Sequence, residues 1–194
     1  AFKLFERPFF LLRCYLLRRT PLGSTLNFRD GGRIALSSYA GDVVTVFVVF
    51  CKEEYGTDFA GKSVLDIGGN IGAFSLLACR HGCRHLVAVE PSVEAHRVLQ
   101  ENMVNNGFSD RVTVLHAAVC GSPRESVTFP SASSPLNTLG GDGACQEMVE
   151  GPATTLGALL GEYFGEGLDL LKMDCEGAEI DIVANATLAD LEKI

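Results

Sequence analysis

The sequence predicts an α/β fold, a Rossmann-like doubly wound sheet of mostly parallel strands, and three stretches carry that expectation. VLDIGGNIG, from Val64 to Gly72, joins an apolar strand to a Gly-rich turn. HLVAVEPS, which ends its apolar run at Glu90, supplies a second buried strand one helix-length further on. LDLLKMD, from Leu168 to Asp174, is an apolar run with carboxylates crowded at its C-terminal end. Continuous apolar runs separated by helical stretches are the mark of parallel strands covered on both faces. At 194 residues with 47% hydrophobic content and a mean hydropathy of +0.21, the chain can bury a real core.

Residues 1–60 read as an N-terminal appendage of helix and short strands, and 61–194 as the nucleotide-binding body. The opening FKLFERPFFLLRCYLLRR predicts an amphipathic helix packed on the domain. Its Arg and Pro residues interrupt the roughly 20 apolar residues that a spanning helix needs. A second reading places Phe9, Phe10, Leu11, Leu12, Leu16 and Leu17 in a membrane interface, with arginines at headgroup level, as a peripheral membrane contact. Leu26 to Leu36 reads as strand-turn-strand around Asp30-Gly31-Gly32. Val43 to Tyr55 reads as a helix, because its apolar run ends in Lys52, Glu53 and Glu54.

In the body, the strand at Val64 leads to a helix from Ile71 to His81, with Gly82 as a left-handed cap. Ser92 to Asn106 has the spacing of an amphipathic helix with Val93, Val98, Leu99 and Met103 as its core stripe and Asn106-Gly107 as its stop. Arg111 to Val119 reads as a third buried strand. Ser122 to Glu150 contains an extended piece around Val127 and Phe129, then SASSPLNTLGGDGACQ, a candidate lid or substrate loop.

The chemistry rests on acidic residues at strand ends. Asp66 precedes the first glycine by two positions, and a fixed negative charge there would repel a pyrophosphate on the following helix N-terminus. S-adenosylmethionine has a sulfonium and an ammonium and no phosphate, so it is the cofactor this turn predicts. Glu90 lies about 20 residues beyond the turn, where a carboxylate accepts both hydroxyls of a ribose. Small residues around Ala117 leave room for an adenine ring against the backbone. Asp174, Glu176 and Glu179 have three readings open to them: binding the methionine amine, coordinating a divalent metal, or taking a proton from a hydroxyl. Asp174 is preferred as the base or ligand with Glu176 as its partner, Glu179 is assigned a structural part, and Lys172 is the candidate cation that offsets their repulsion.

The net charge of −8 and pI near 5.0 argue against binding along a nucleic-acid backbone. Seven cysteines without a C-x-x-C pair point to reduced thiols and a cytoplasmic setting, and Cys79 with Cys83 reads as a core or helix-end pair with no metal.

Taken together, VLDIGGNIGAFSLLA, VAVEPS, HAAV, TTLGALL and LLKMDCEGAE resemble the FkbM family of S-adenosylmethionine-dependent methyltransferases, from about Tyr39 onward. The resemblance implies a class I methyltransferase fold and O-methylation of a hydroxyl on a small molecule or sugar. It also implies that Asp66, Gly68, Asn70 and Gly72 line the methionine end, that Glu90 holds the ribose, and that Asp174 and Glu176 form the catalytic edge. Such a fold has seven strands, so the chain is expected to be truncated after the fourth. A nicotinamide-dependent oxidoreductase is the alternative enzyme reading, disfavoured because Gly69 follows Gly68 directly, and a non-catalytic cofactor-binding or scaffold domain is the third.

Overall fold

A computed structural model describes residues 3–17, 24–130, 148–175 and 177–194. The chain starts with helix α1 (Pro8–Leu17), the hairpin strands β1 (Thr25–Asn27) and β2 (Arg33–Ala35), and helix α2 (Asp42–Cys51). Then come β3 (Ser63–Ile67), α3 (Ala73–Arg80), β4 (His85–Val89), α4 (Val93–Asn105) and β5 (Val112–Leu115). The rest is β6 (Ala118–Cys120), β7 (Ser126–Pro130), β8 (Met148–Thr155), α5 (Leu156–Tyr163), β9 (Leu170–Met173), α6 (Glu179–Asn185) and α7 (Leu188–Leu191).

The central sheet runs β5-β4-β3-β9 with every pairing parallel. Its register places Val64 between Leu86 and Leu170, and Ile67 between Val89 and Met173. The chain lays down β3, β4 and β5 in one direction and then returns to the other side of β3 with β9. Strand order therefore reverses between β3 and β9, and open α/β sheets bind ligands outside the strand ends at such a reversal.

Alternation along the strands sends side chains into two cores. Val64, Leu86 and Ala88 join a first core with residues of α1, the hairpin, α2, α3 and α4. Leu65, Ile67, Val87 and Val89 face a second core with Val119, Leu156, Leu159, Leu160 and Ile182. In the first core Phe5 stacks on Phe28 at 4.7 Å between ring centroids, and Phe28 meets Phe50 edge-on at 5.0 Å. α1 buries Pro8, Leu11 and Cys14, so Leu11, which the interfacial reading inserts into lipid, lies in the protein core instead. Among the described residues, no helix is long and apolar enough to cross a membrane.

Two further expectations change. The single strand expected from Arg111 to Val119 divides at His116 and Ala117. β5 stays in the central sheet, while β6 pairs in parallel with β8, which also pairs antiparallel with β7. The break falls where His116 Nε2 lies 2.8 Å from the Pro91 carbonyl, a contact that draws the chain toward the end of β4. Val93, expected in the core, is 66% exposed. Ser92 caps α4 by accepting from the Ala95 amide at 3.4 Å, which leaves Val93 in the first turn facing solvent. The buried stripe instead comprises Ala95, Val98, Leu99, Asn102 and Met103. The candidate lid SASSPLNTLGGDGACQ lies outside the described residues.

Asp42, in the first turn of α2, is fully buried, and one carboxylate oxygen accepts from the Ser37 amide at 2.6 Å while the other has no hydrogen-bond partner among the described residues. Burial outweighs the hydrogen bonds from Ser37 and, with the nearby Glu94 charge, pushes this carboxyl from 3.8 up to about 6. Because the folded value is the higher one, the favourable contribution of Asp42 is complete below its unfolded value and is lost as pH rises through about 6. Thermal and urea melts of Asp42→Asn should show the variant gaining on the native protein between pH 4 and pH 7.5, by up to about 3 kcal/mol. A difference that stays constant across that range would mean that Asp42 does not titrate as described.

Candidate functional site

The turn after β3 is shaped by close approach. Gly68 has φ +78°, and a Cβ there would lie 2.1 Å from the Asp174 carbonyl oxygen, so only glycine lets β9 leave the sheet beside it. A Cβ on Gly69 would fall 2.6 Å from Leu99 Cδ1. The amides of Gly68 and Gly69 both donate to the Val89 carbonyl at 3.0 Å, which ties the turn to the end of β4. Asn70 takes a left-handed φ of 48°, a conformation Asn tolerates better than most residues, and Gly72 follows at φ +81° to open α3.

Asp66 lies beneath this turn, with no exposed surface. One carboxylate oxygen accepts from Ser75 Oγ at 2.6 Å, and the other lies 3.0 Å from Lys172 Nζ in an ion pair rather than an aligned hydrogen bond. The Lys172 ammonium donates instead to the Gly68 carbonyl at 2.7 Å. Burial is the largest single influence on Lys172 and would lower its pKa, but the charge and close approach of Asp66, with smaller contributions from Asp174 and Tyr55, together raise it. Lys172 was expected to neutralise the carboxylates after β9; the structure gives it Asp66, its lateral neighbour in the sheet register.

Glu90 is 6% exposed at the end of β4. Its Oε2 accepts from the Asn70 amide at 2.7 Å and its Oε1 from the Ser92 amide at 2.8 Å. Burial raises its pKa against those two bonds. Each oxygen keeps a second lone pair, so the carboxylate is held in one orientation with acceptor capacity left over. That arrangement fits a ribose diol.

Asp174 is exposed at the end of β9, where its amide donates to the Ile67 carbonyl at 3.0 Å. Glu176 lies outside the described residues. Glu179 accepts from the amides of Cys175 and Gly177, each at 2.7 Å; burial is the largest single influence and would raise its pKa, but these bonds, together with those from its own amide and the Cys175 thiol, lower it. It thus closes the turn into α6. Ala117 lies between β5 and β6, partly buried against the second core. The strand ends thus bring Asp66, Gly68, Asn70, Gly72, Glu90 and Asp174 to one edge of the sheet, with Ala117 following the end of the neighbouring strand.

Sequence reasoning missed Ser75, Asn102 and Tyr55. Tyr55 packs edge-on against Phe74 at 5.0 Å, and Lys172 Nζ lies 5.9 Å from the centre of the same ring. Burial raises the Tyr55 pKa; Lys172 opposes this, while Asp174 and Asp66 add to it. No spacing rule marks this tyrosine, because the loop after α2 delivers it. Asn102 did leave a signal: it is a polar residue in register with Val98, Leu99 and Met103.

The family model of the methyltransferase FkbM domain matches residues 66–193, about two thirds of the chain. The chain belongs to the FkbM methyltransferase domain family. Among curated relatives it is 34% identical over 91 residues to Probable histone-arginine methyltransferase 1.3 of Arabidopsis thaliana, covering 44% of this chain and 16% of that protein. It is 39% identical over 57 residues to protein arginine N-methyltransferase 1 of Saccharomyces cerevisiae, covering 29% of this chain and 16% of that one. The chain thus spans about a sixth of the length of these relatives. Of solved structures, PRMT6-SAH aligns at 22% identity and a TM-score of 0.34 over 40% of this chain and 25% of that one. The C-terminal domain of precorrin-6Y C5,15-methyltransferase from Rhodobacter capsulatus aligns at 27% and 0.29, over 30% of this chain and 32% of that one.

Removing the cation of the buried pair tests the electrostatics of this FkbM-domain site. Lys172→Met leaves Asp66 charged and buried, and urea denaturation should show a loss of about 3 to 5 kcal/mol. Adding Asp66→Asn to the same chain should recover a large part of it. A single variant as stable as the native protein would show that the pair is not an essential part of the fold.

Proposed function

We propose that this FkbM domain binds S-adenosylmethionine and transfers its methyl group to a hydroxyl of a small molecule or sugar. The observation that carries the reading is Glu90, buried at the end of β4 and oriented by the Asn70 and Ser92 amides beside the strand-order reversal. Family membership supports the cofactor. Asp66 alone does not, because Lys172 cancels the charge on which the sequence argument against a pyrophosphate rested.

When bound, S-adenosylmethionine supplies an electrophilic methyl on its sulfonium. Glu90 would accept hydrogen bonds from the ribose hydroxyls, and the turn from Gly68 to Gly72 would let the backbone approach the methionine end. Asp174, exposed at the end of β9, would accept the proton of the attacking hydroxyl. The net charge of −8 favours a small or neutral acceptor over a polyanion.

Calorimetry with S-adenosylhomocysteine tests the cofactor assignment. Glu90→Ala should weaken binding by roughly 1.5 to 3 kcal/mol, the scale of hydrogen bonds to a charged group. Tighter binding of NADH than of S-adenosylhomocysteine would replace this reading with the nicotinamide one.

The catalytic assignment is tested by methyl transfer from labelled S-adenosylmethionine into a panel of hydroxylated small molecules and sugars. In the intact gene product, Asp174→Asn should lower kcat by about 100-fold or more while cofactor affinity changes little. Retained turnover with weakened cofactor binding would make Asp174 a binding residue.

A further inference from the structure

Asn102 is fully buried in α4 among apolar residues, a placement that is costly unless its amide is fully bonded. Its Oδ1 accepts from the Ala35 amide at 2.7 Å, and its Nδ2 donates to the Ala35 carbonyl at 3.0 Å and to the Ile71 carbonyl at 2.8 Å. One turn later, Asn106 repeats the pattern on the Arg33 amide and carbonyl at 3.0 and 2.7 Å. In the hairpin, Gly32 and Leu36 bond inward to Phe28 and Ser24, so Arg33 and Ala35 turn their polar backbone groups outward. The two asparagines, one in the last turns of α4 and the other capping its C-terminal end four residues on, therefore act as a substitute strand along the open edge of β2.

Asn106 also donates to the Asn102 backbone carbonyl at 2.7 Å, but of the two side chains it is Asn102 that reaches the Gly-rich turn. Ile71, whose carbonyl it holds, stands between Asn70, whose amide orients Glu90, and Gly72, whose left-handed φ starts α3. Holding that carbonyl fixes the peptide plane between Ile71 and Gly72 and so the direction of the first amides of α3. The Gly68 and Gly69 amides anchor the opposite end of the turn on Val89.

We infer that Asn102 is a positioning residue of the cofactor site, through which the N-terminal hairpin sets the conformation of the Gly-rich turn. The inference rests on the cofactor reading above, and its coupling is reciprocal: a ligand that orders the turn also tightens the hairpin.

The test uses the whole chain with S-adenosylhomocysteine as probe and compares Asn102→Ala with Asn106→Ala. Both should lower Tm, since each removes one rung of the same clamp. Only Asn102→Ala should weaken S-adenosylhomocysteine binding, by about tenfold or more, the scale of one buried hydrogen bond. In the native chain, S-adenosylhomocysteine should slow hydrogen exchange at the Arg33 amide, and in Asn102→Ala that response should disappear although Asn106 still holds the amide. If Asn102→Ala does not fold, Asn102→Ser is judged by the same affinity and exchange measurements. Equal affinities for the two alanine variants, or hairpin amides in the native chain that ignore the ligand, would overturn the inference. A native chain that binds no S-adenosylhomocysteine would overturn the cofactor reading and this inference with it.

Discussion

A buried carboxylate paired with a buried lysine joins the two strands on which the site is built. Asp66 on β3 and Lys172 on β9 are lateral neighbours in a parallel sheet, and their charges meet at 3.0 Å with almost no solvent. An isolated charge in that position would cost several kcal/mol, so neither residue is tolerable without the other. The same ammonium donates to the Gly68 carbonyl and so reaches into the turn. Sheet pairing, turn geometry and local electrostatics therefore depend on one contact.

Around that contact the turn is held at successive points by different elements. Val89 takes the first two amides, Glu90 takes the amide of Asn70, and Asn102 takes the carbonyl of Ile71. Bonds from β4 and α4 thus restrict a glycine-rich segment that would otherwise have wide conformational freedom. Ligand-binding amides are useful only when held before the ligand arrives, because ordering them on binding would subtract from affinity. The hairpin and α2 share an apolar core with α3 and α4, so the N-terminal elements press on the face of the sheet that carries Asp66.

Much of this was legible in the sequence where one element decides its own form. The apolar runs at Val64 and His85 became parallel strands, Asp30-Gly31-Gly32 became the hairpin turn, and Gly82 adopted its left-handed φ of 82°. Misreadings fall where a local pattern met a distant partner. Arg111 to Val119 is apolar enough for one strand, yet the Pro91 carbonyl and the β8 edge claim its second half. Val93 has the right spacing for the core, but a helix cap upstream turns it outward.

The residue types at the site were set by the sequence itself: a strand, a turn rich in glycines, and acidic residues at the strand ends. Those features are local in the chain, and spacing alone reveals them. Tertiary structure decided which charges meet. Lys172 lies two positions from Asp174 and 106 positions from Asp66 in the sequence, yet strand pairing assigns it to the distant carboxylate and leaves Asp174 exposed to solvent. It also decided that Asn102, one polar residue in an apolar stripe, would bond at once to a hairpin 67 residues away and to a turn 31 residues away. The physical reason is that an ion pair or a buried amide takes its energy from distance and desolvation in three dimensions, and neither quantity is written in the order of residues along the chain.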